Sequence, residues 1–233
     1  MFFIGAAAGF TSSLLSTLLL TTIILLGIIT TLIVTRLLSA TILKGVPSSF
    51  TLELPPYRPP QIGKIIIRSV FDRTLFVLGR AAAVAAPAGI LIWLLANISI
   101  GDSSLLNITA DFLDPFGKQI GLDGTILLAF ILGFPANEIV VPIIIMIYLS
   151  QGTLSDITNL SLCKEIFLQN GWTPITAVCT MIFSLMHWPC STTLMTIKKE
   201  TGSLKWTAAA AIIPTACGIG LCFIINTVSK LFI

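Results

Sequence analysis

Between Gly124 and Ser155 the chain carries a single charged side chain, Glu138. It stands beside Asn137 and just after Gly133-Phe134-Pro135, a helix-breaking triplet inside an otherwise apolar run. About 20 residues of helix cross the hydrocarbon core of a bilayer, so this run is long enough to enter one. A carboxylate near the bilayer centre costs about 2.5–3.5 kcal/mol on the insertion scale, and is kept only where it faces protein or a water-filled path. Glycine and proline beside it free backbone carbonyls that need partners too. The stretch is therefore expected to form one wall of a permeation pathway. The alternative is a kink used only for packing, with its glutamate paired.

Composition bounds the class. Hydrophobic residues make up 55% of the 233 and charged ones 10%, against about 25% charged in soluble domains, which excludes an ordinary water-soluble fold. The net charge of +3 is too small to argue for nucleic acid. Five cysteines (Cys163, Cys179, Cys190, Cys217, Cys222) lack disulfide-scaffold spacing and are expected as buried thiols. The first basic residue is Arg36, so the basic start of a cleavable signal peptide is missing.

The expected fold is all-α, a polytopic transmembrane helix bundle with a broken or re-entrant gate helix pair. Residues 1–44 hold an N-terminal span, placed at Ser16–Leu38, with a weaker small-residue part at Gly5–Ser13. Residues 45–80 form a cytoplasmic linker: five prolines at 47, 55, 56, 59 and 60 favour an extended connector. Gln61–Arg80 then suits an amphipathic helix at the membrane surface, with Lys64, Arg68 and Asp72 four apart. A water-facing helix packed on another domain fits as well. Residues 81–233 are the gate region. Ala81–Ile100 is a span with Pro87 and Gly89 as a kink, and Gly101–Asp123 an external loop with a helix around Leu105–Phe116. Thr125–Leu149 is the broken segment, 151–171 a polar connection, and Thr173–Ile197 and Trp206–Ser229 two further apolar runs.

Charge distribution raises a conflict. Seven Lys and Arg between Arg36 and Arg80 place that loop inside. If Thr125–Leu149 crossed fully, Lys198, Lys199 and Lys205 would fall outside. A re-entrant hairpin returning to the outer side restores them to the inside, so the hairpin is preferred.

A second constellation is Met186-His-Trp-Pro-Cys-Ser-Thr-Thr193. Cys179, Phe183, Met186 and Cys190 would line one face of a straight helix, which Pro189 bends. Thiol, thioether and a carboxylate elsewhere could bind a divalent transition metal transiently; iron, zinc and manganese all fit such ligands. Packing is the commoner role of such a cysteine. His187, the sole histidine, points away from Met186 and is read as an interfacial or interhelical hydrogen-bonder.

Four motifs carry a family likeness: Gly133-Phe-Pro-Ala-Asn-Glu-Ile-Val140, Trp188-Pro-Cys-Ser-Thr-Thr193, Ile197-Lys-Lys-Glu-Thr-Gly-Ser-Leu-Lys-Trp206, and Lys44-Gly with Glu53-Leu-Pro-Pro-Tyr-Arg58. In this order, across roughly Leu37 to Cys222, the chain resembles ferrous iron transport protein B, at its second gate segment and the linker before it. The resemblance implies membrane transport of ferrous iron in a bacterial inner membrane, with Fe(II) as cargo and no permanently bound cofactor. It implies that Cys190 handles Fe(II) and that Asn137 and Glu138 form the polar core of the gate; residue chemistry alone adds Met186 as an auxiliary ligand and Gly133, Pro135 and Pro189 as the breaks in the gate helices. It also implies a partner carrying the GTPase and first gate, since no Gly-x-x-x-x-Gly-Lys-Ser/Thr loop and no first gate segment occur here. The chain is thus not expected to be an enzyme by itself. Other readings are a nucleoside-type transporter gate, to which the gate segments are also related, and a non-conducting assembly subunit. Homo-oligomers are compatible with all three.

Overall fold

The structure is a computed structural model that describes residues 10–41, 61–68, 71, 74–101, 103–150 and 160–232. The proline-rich connector at 45–60, Asp72 and the first part of the polar connection, 151–159, lie outside the described residues. The architecture is an all-α bundle. Ten α-helices are described: α1 (Phe10–Thr41), α2 (Ile62–Arg68), α3 (Phe76–Asn97), α4 (Leu105–Gln119), α5 (Gly124–Leu132), α6 (Val140–Tyr148), α7 (Leu160–Gln169), α8 (Pro174–Met186), α9 (Ser191–Thr201) and α10 (Leu204–Phe232). A two-residue antiparallel ladder, β1 (Ser99–Ile100) with β2 (Ser103–Ser104), turns α3 into α4.

Segments within α1, α3 and α10 are long and apolar enough to cross a membrane. Most of their large side chains point outward: Leu18, Ile29, Leu32, Leu78, Ile90, Ile212 and Leu231 are each at least half exposed. In lipid such a surface is at home, because acyl chains are as apolar as leucine. The threonines of α1 do not spoil this. Thr21, Thr22, Thr30 and Thr31 each donate their hydroxyl to a carbonyl one turn earlier, so the helix satisfies its own polar groups. The second long helix begins at Phe76 rather than at Ala81, and so absorbs the last five residues of the expected surface helix. Arg80 sits inside it, reaching across to the hydroxyl of Thr196 on α9 at 3.4 Å.

The interior belongs to the broken segment. Ile126, Ala129, Phe130, Ile143, Ile144 and Met146 are almost wholly buried, with Phe183 of α8 set edge-on against Phe130 at a centroid distance of 4.8 Å. Each helical arm has nine residues, about 14 Å of rise, or half of a hydrocarbon core. The arms fold back on each other, because Tyr148, the last residue of α6, donates its hydroxyl to Asp123, the N-cap of α5. The segment is therefore a helical hairpin, with its tip at Gly133–Ala136. Its base is set by a 110° corner between α4 and α5.

Contacts at the two ends of the bundle sort its loops. At one end Arg80 meets Thr196, and Leu38, Thr201 and Trp206 line a common cleft. At the other, Asn107 bonds Ser150 at 3.5 Å, Trp172 bonds Tyr148 at 2.7 Å, and Asn226 donates to the carbonyls of Lys118 and Gln119. Arg36, Arg80, Lys198, Lys199 and Lys205 thus cluster at the first end, while Asp111, Asp114 and Asp123 gather at the second.

Candidate functional site

The sequence places two breaks in apolar helices, and the structure brings them together. The first is the hairpin tip. Gly133 ends α5, and Gly133 itself has no room for a side chain: a Cβ there would lie 2.5 Å from Val140 Cγ2 and 2.9 Å from the carbonyl of Ala129. Pro135 follows in the turn, and Asn137–Ile139 form one 3₁₀ turn before α6 starts. The second break is His187–Cys190, between α8 and α9. Pro189 has no amide hydrogen to continue α8, which stops at Met186. The amide of Ser191, the first residue of α9, donates to the carbonyl of Phe134 at 3.0 Å. That bond satisfies a carbonyl freed at one break with an amide freed at the other, as a low-dielectric surrounding demands.

Around this contact the expected residues divide. Asn137 and Glu138 are both exposed on the surface of the chain, just past the tip. Cys190 is half-buried as the N-cap of α9, with its sulfur 3.2 Å from the hydroxyl of Thr192 and 3.1 Å from that of Thr193. The first turn of α9, whose early amides lack helical partners, begins beside this sulfur. Met186 is buried and packs against Gly218 of α10. Because α8 ends there, Cys190 does not continue the face of Cys179, Phe183 and Met186 that a straight helix would have made. His187 is buried; its ring nitrogen Nδ1 donates towards the carbonyls of Phe183 and Ser184 at 3.1 and 2.9 Å, and its ring lies 4.9 Å from that of Phe130. It closes the end of α8 against the hairpin.

Two polar atoms at the same place have no hydrogen-bond partner among the described residues: the buried hydroxyl of Ser191 and Nε1 of Trp188. Trp188 also lines an apolar cleft of about 710 Å³ with Phe134, Ile131, Leu194 and residues of α10. Among the described residues no three His, Cys, Asp or Glu side chains converge.

Sequence reasoning missed the groups that hold the hairpin base. Asp123 accepts from the amide of Ile126 at 2.6 Å and also from Tyr148, whose hydroxyl in turn accepts from Trp172 Nε1. Asp114 accepts from the amide of Gly124 at 3.3 Å and pairs with Lys118. The usable signal was Asp123 directly before an apolar run, an N-cap pattern; the partners Tyr148 and Trp172 had none. Tyr148→Phe keeps the ring beside Phe167 but removes the bridge between Trp172 and Asp123. It is expected to cost about 1–3 kcal/mol, read as a lower midpoint of thermal unfolding in detergent. An unchanged midpoint would mean that the base does not depend on this bridge.

Comparison with known proteins identifies the family. The Gate family, described as nucleoside recognition, matches residues 78–204, and the family described as ferrous iron transport protein B C terminus matches residues 20–72. Among individual relatives, the Fe(2+) transporter FeoB of Staphylococcus aureus strain MSSA476 is 33% identical over 207 residues, covering 84% of this chain and 29% of the relative. That of Leptospira interrogans serovar copenhageni is 31% identical over 214 residues, covering 82% and 30%. That of Methanocaldococcus jannaschii is 27% identical over 209 residues, covering 84% and 30%. The chain therefore spans less than a third of the length of these relatives, each of them described as an Fe(2+) transporter. No solved structure matches it significantly. With two helix breaks in contact, and both family models laid end to end along it, the chain belongs to the Gate family in the form found in the C-terminal membrane part of ferrous iron transport protein B.

Proposed function

We propose that the chain passes Fe(II) across the cell membrane of a bacterium, as the C-terminal gate part of a larger transporter. The observation that carries this is the Ser191–Phe134 bond, which joins two broken helices at the inner tip of a half-membrane hairpin. Meeting half-helices at mid-depth are a recurring way to build an ion site, because their ends gather carbonyls, each with a second lone pair, and amides in one place. Positive-inside bias assigns the Arg36–Arg80–Lys205 end to the cytoplasm, so that the hairpin enters from outside.

Glu138 supports the reading by its exposure. About 14 Å from the hairpin base, it cannot face acyl chains without the insertion cost of about 2.5–3.5 kcal/mol, so its surroundings are wet or filled by the rest of the transporter. In this scheme Glu138 compensates the charge of Fe(II), and Asn137 with carbonyls near Pro135 replaces hydration waters. Cys190 supplies an exchangeable soft ligand, with Met186 auxiliary. Conduction calls for several weak contacts rather than one closed coordination sphere, because an ion held tightly does not leave. Energy coupling would come from a partner with the GTPase and first gate, with which the chain assembles.

The test is Fe(II) entry into liposomes holding the chain alone, or the chain with that partner. Cys190→Ser is expected to lower the initial rate about tenfold, equivalent to about 1.4 kcal/mol, with the amount of inserted protein unchanged. Uptake equal to wild type would remove Cys190 from the path. No entry with the chain alone, and entry with the partner that Cys190→Ser and Glu138→Gln leave unchanged, would leave the assembly-subunit reading. The family description keeps a nucleoside cargo in play; competition by added nucleosides for Fe(II) entry would favour it. The cleft beside the breaks speaks against it, being lined almost entirely by apolar side chains with few of the polar groups that orient a base.

A further inference from the structure

Away from the breaks, Cys179 of α8 and Cys222 of α10 face each other, both at 0% exposure. Cys222 Sγ donates to the carbonyl of Cys179 at 3.3 Å, and Cys179 Sγ points to the carbonyl of Cys222 at 3.9 Å. This reciprocal arrangement makes the two residues direct neighbours across the helix crossing, each sulfur lying over the other's backbone. Disulfides need that proximity, with Cα atoms about 4.4–6.8 Å apart and the Cβ vectors converging. Neither thiol has a role in the path proposed above. A cleft lined by Gly121, Thr176 and Asn226 lies next to both. Cys179 lies in the second turn of α8 from Thr173, Gly121 of the α4–α5 loop backs its sulfur, and Asn226, one turn beyond Cys222, holds that loop through the carbonyls of Lys118 and Gln119. Loops of this kind open locally at far lower cost than the core they cover.

We propose that Cys179 and Cys222 are an oxidative modification site, forming a disulfide that fastens α8 to α10. Hydrogen peroxide is the oxidant class. One thiol, as thiolate, attacks a peroxide oxygen; the O–O bond breaks, leaving a sulfenic acid, and the departing hydroxide takes up a proton to become water. The second thiol then attacks the sulfenic sulfur, the S–O bond breaks, and a second water leaves. Two electrons pass from the sulfur pair to one peroxide, and both thiol protons end in water. The bond would tie the helix that leads into the His187–Cys190 break to a full-length span, so α8 could no longer slide or tilt on α10. A thiol reductant reverses it by exchange.

The experiment uses the full chain purified in detergent under reducing conditions, then exposed to hydrogen peroxide, denatured, alkylated with N-ethylmaleimide and digested. The expected result is loss of two of the five alkylatable thiols, one cross-linked peptide pair containing Cys179 and Cys222, and recovery of both thiols after dithiothreitol. Cys179→Ala and Cys222→Ala should each abolish the cross-link, whereas Cys190→Ser should retain it. The proposal is overturned if both thiols stay alkylatable at peroxide levels that oxidise Cys190, or if the cross-link joins a different pair. These readouts do not involve iron, so they stand or fall separately from the transport assay.

Discussion

Gly124→Ala is expected to leave little folded protein in the membrane. A Cβ at this position would lie 1.9 Å from the carbonyl oxygen of Ala110 and 2.6 Å from the amide of Asp114, both backbone atoms of α4. Neither can rotate away as a side chain would. The only relief is to open the 110° corner between α4 and α5, which displaces the hairpin base and the bonds that Asp114 and Asp123 make there. Overpacking of a filled interior costs about 1–3 kcal/mol and occasionally more, and a backbone collision belongs at the top of that range. The measurement is the monodisperse fraction in size-exclusion chromatography of detergent extract, with Gly220→Ala as control, since nothing lies within 4 Å of a Cβ there. A Gly124→Ala protein as monodisperse and heat-stable as wild type would show that the corner is not rigid.

Glu138→Gln should show the opposite pattern, intact folding with transport lowered about tenfold or more. The side chain is exposed on the chain, so the fold does not depend on burying it, and the amide keeps its size. What is lost is the acidic group at the hairpin tip that compensates Fe(II) in the proposed path. A tenfold fall in rate corresponds to about 1.4 kcal/mol. Initial Fe(II) entry in the reconstituted assembly, normalised to inserted protein, is the readout. Wild-type entry together with wild-type assembly would return Glu138 to a role in packing alone, and a loss of assembly without loss of entry per complex would place it at the partner interface.

Much of this architecture was legible one element at a time. Apolar run length announced the long helices, and Gly133, Pro135 and Pro189 announced the breaks, because each has a local steric or hydrogen-bonding cause. Helix boundaries were less so. The second long helix starts at Phe76 and holds Arg80, a charge that marks a span's end in a linear reading, within it, where it reaches Thr196 on α9. The hairpin could be argued only indirectly, from where three lysines would otherwise fall.

By itself the sequence determined that this chain belongs in lipid, that its apolar helices are interrupted at two places, and that one lone acid stands next to one interruption. These follow from composition and from the backbone chemistry of neighbours along the chain. Only the tertiary structure decided that the interruptions touch through Ser191 and Phe134, that Asp123 and Tyr148 close the hairpin, and that Cys179 meets Cys222 while Cys190 stands apart. Such pairings join residues 25 to 57 positions apart. They are set by how whole helices pack, and no local propensity encodes that.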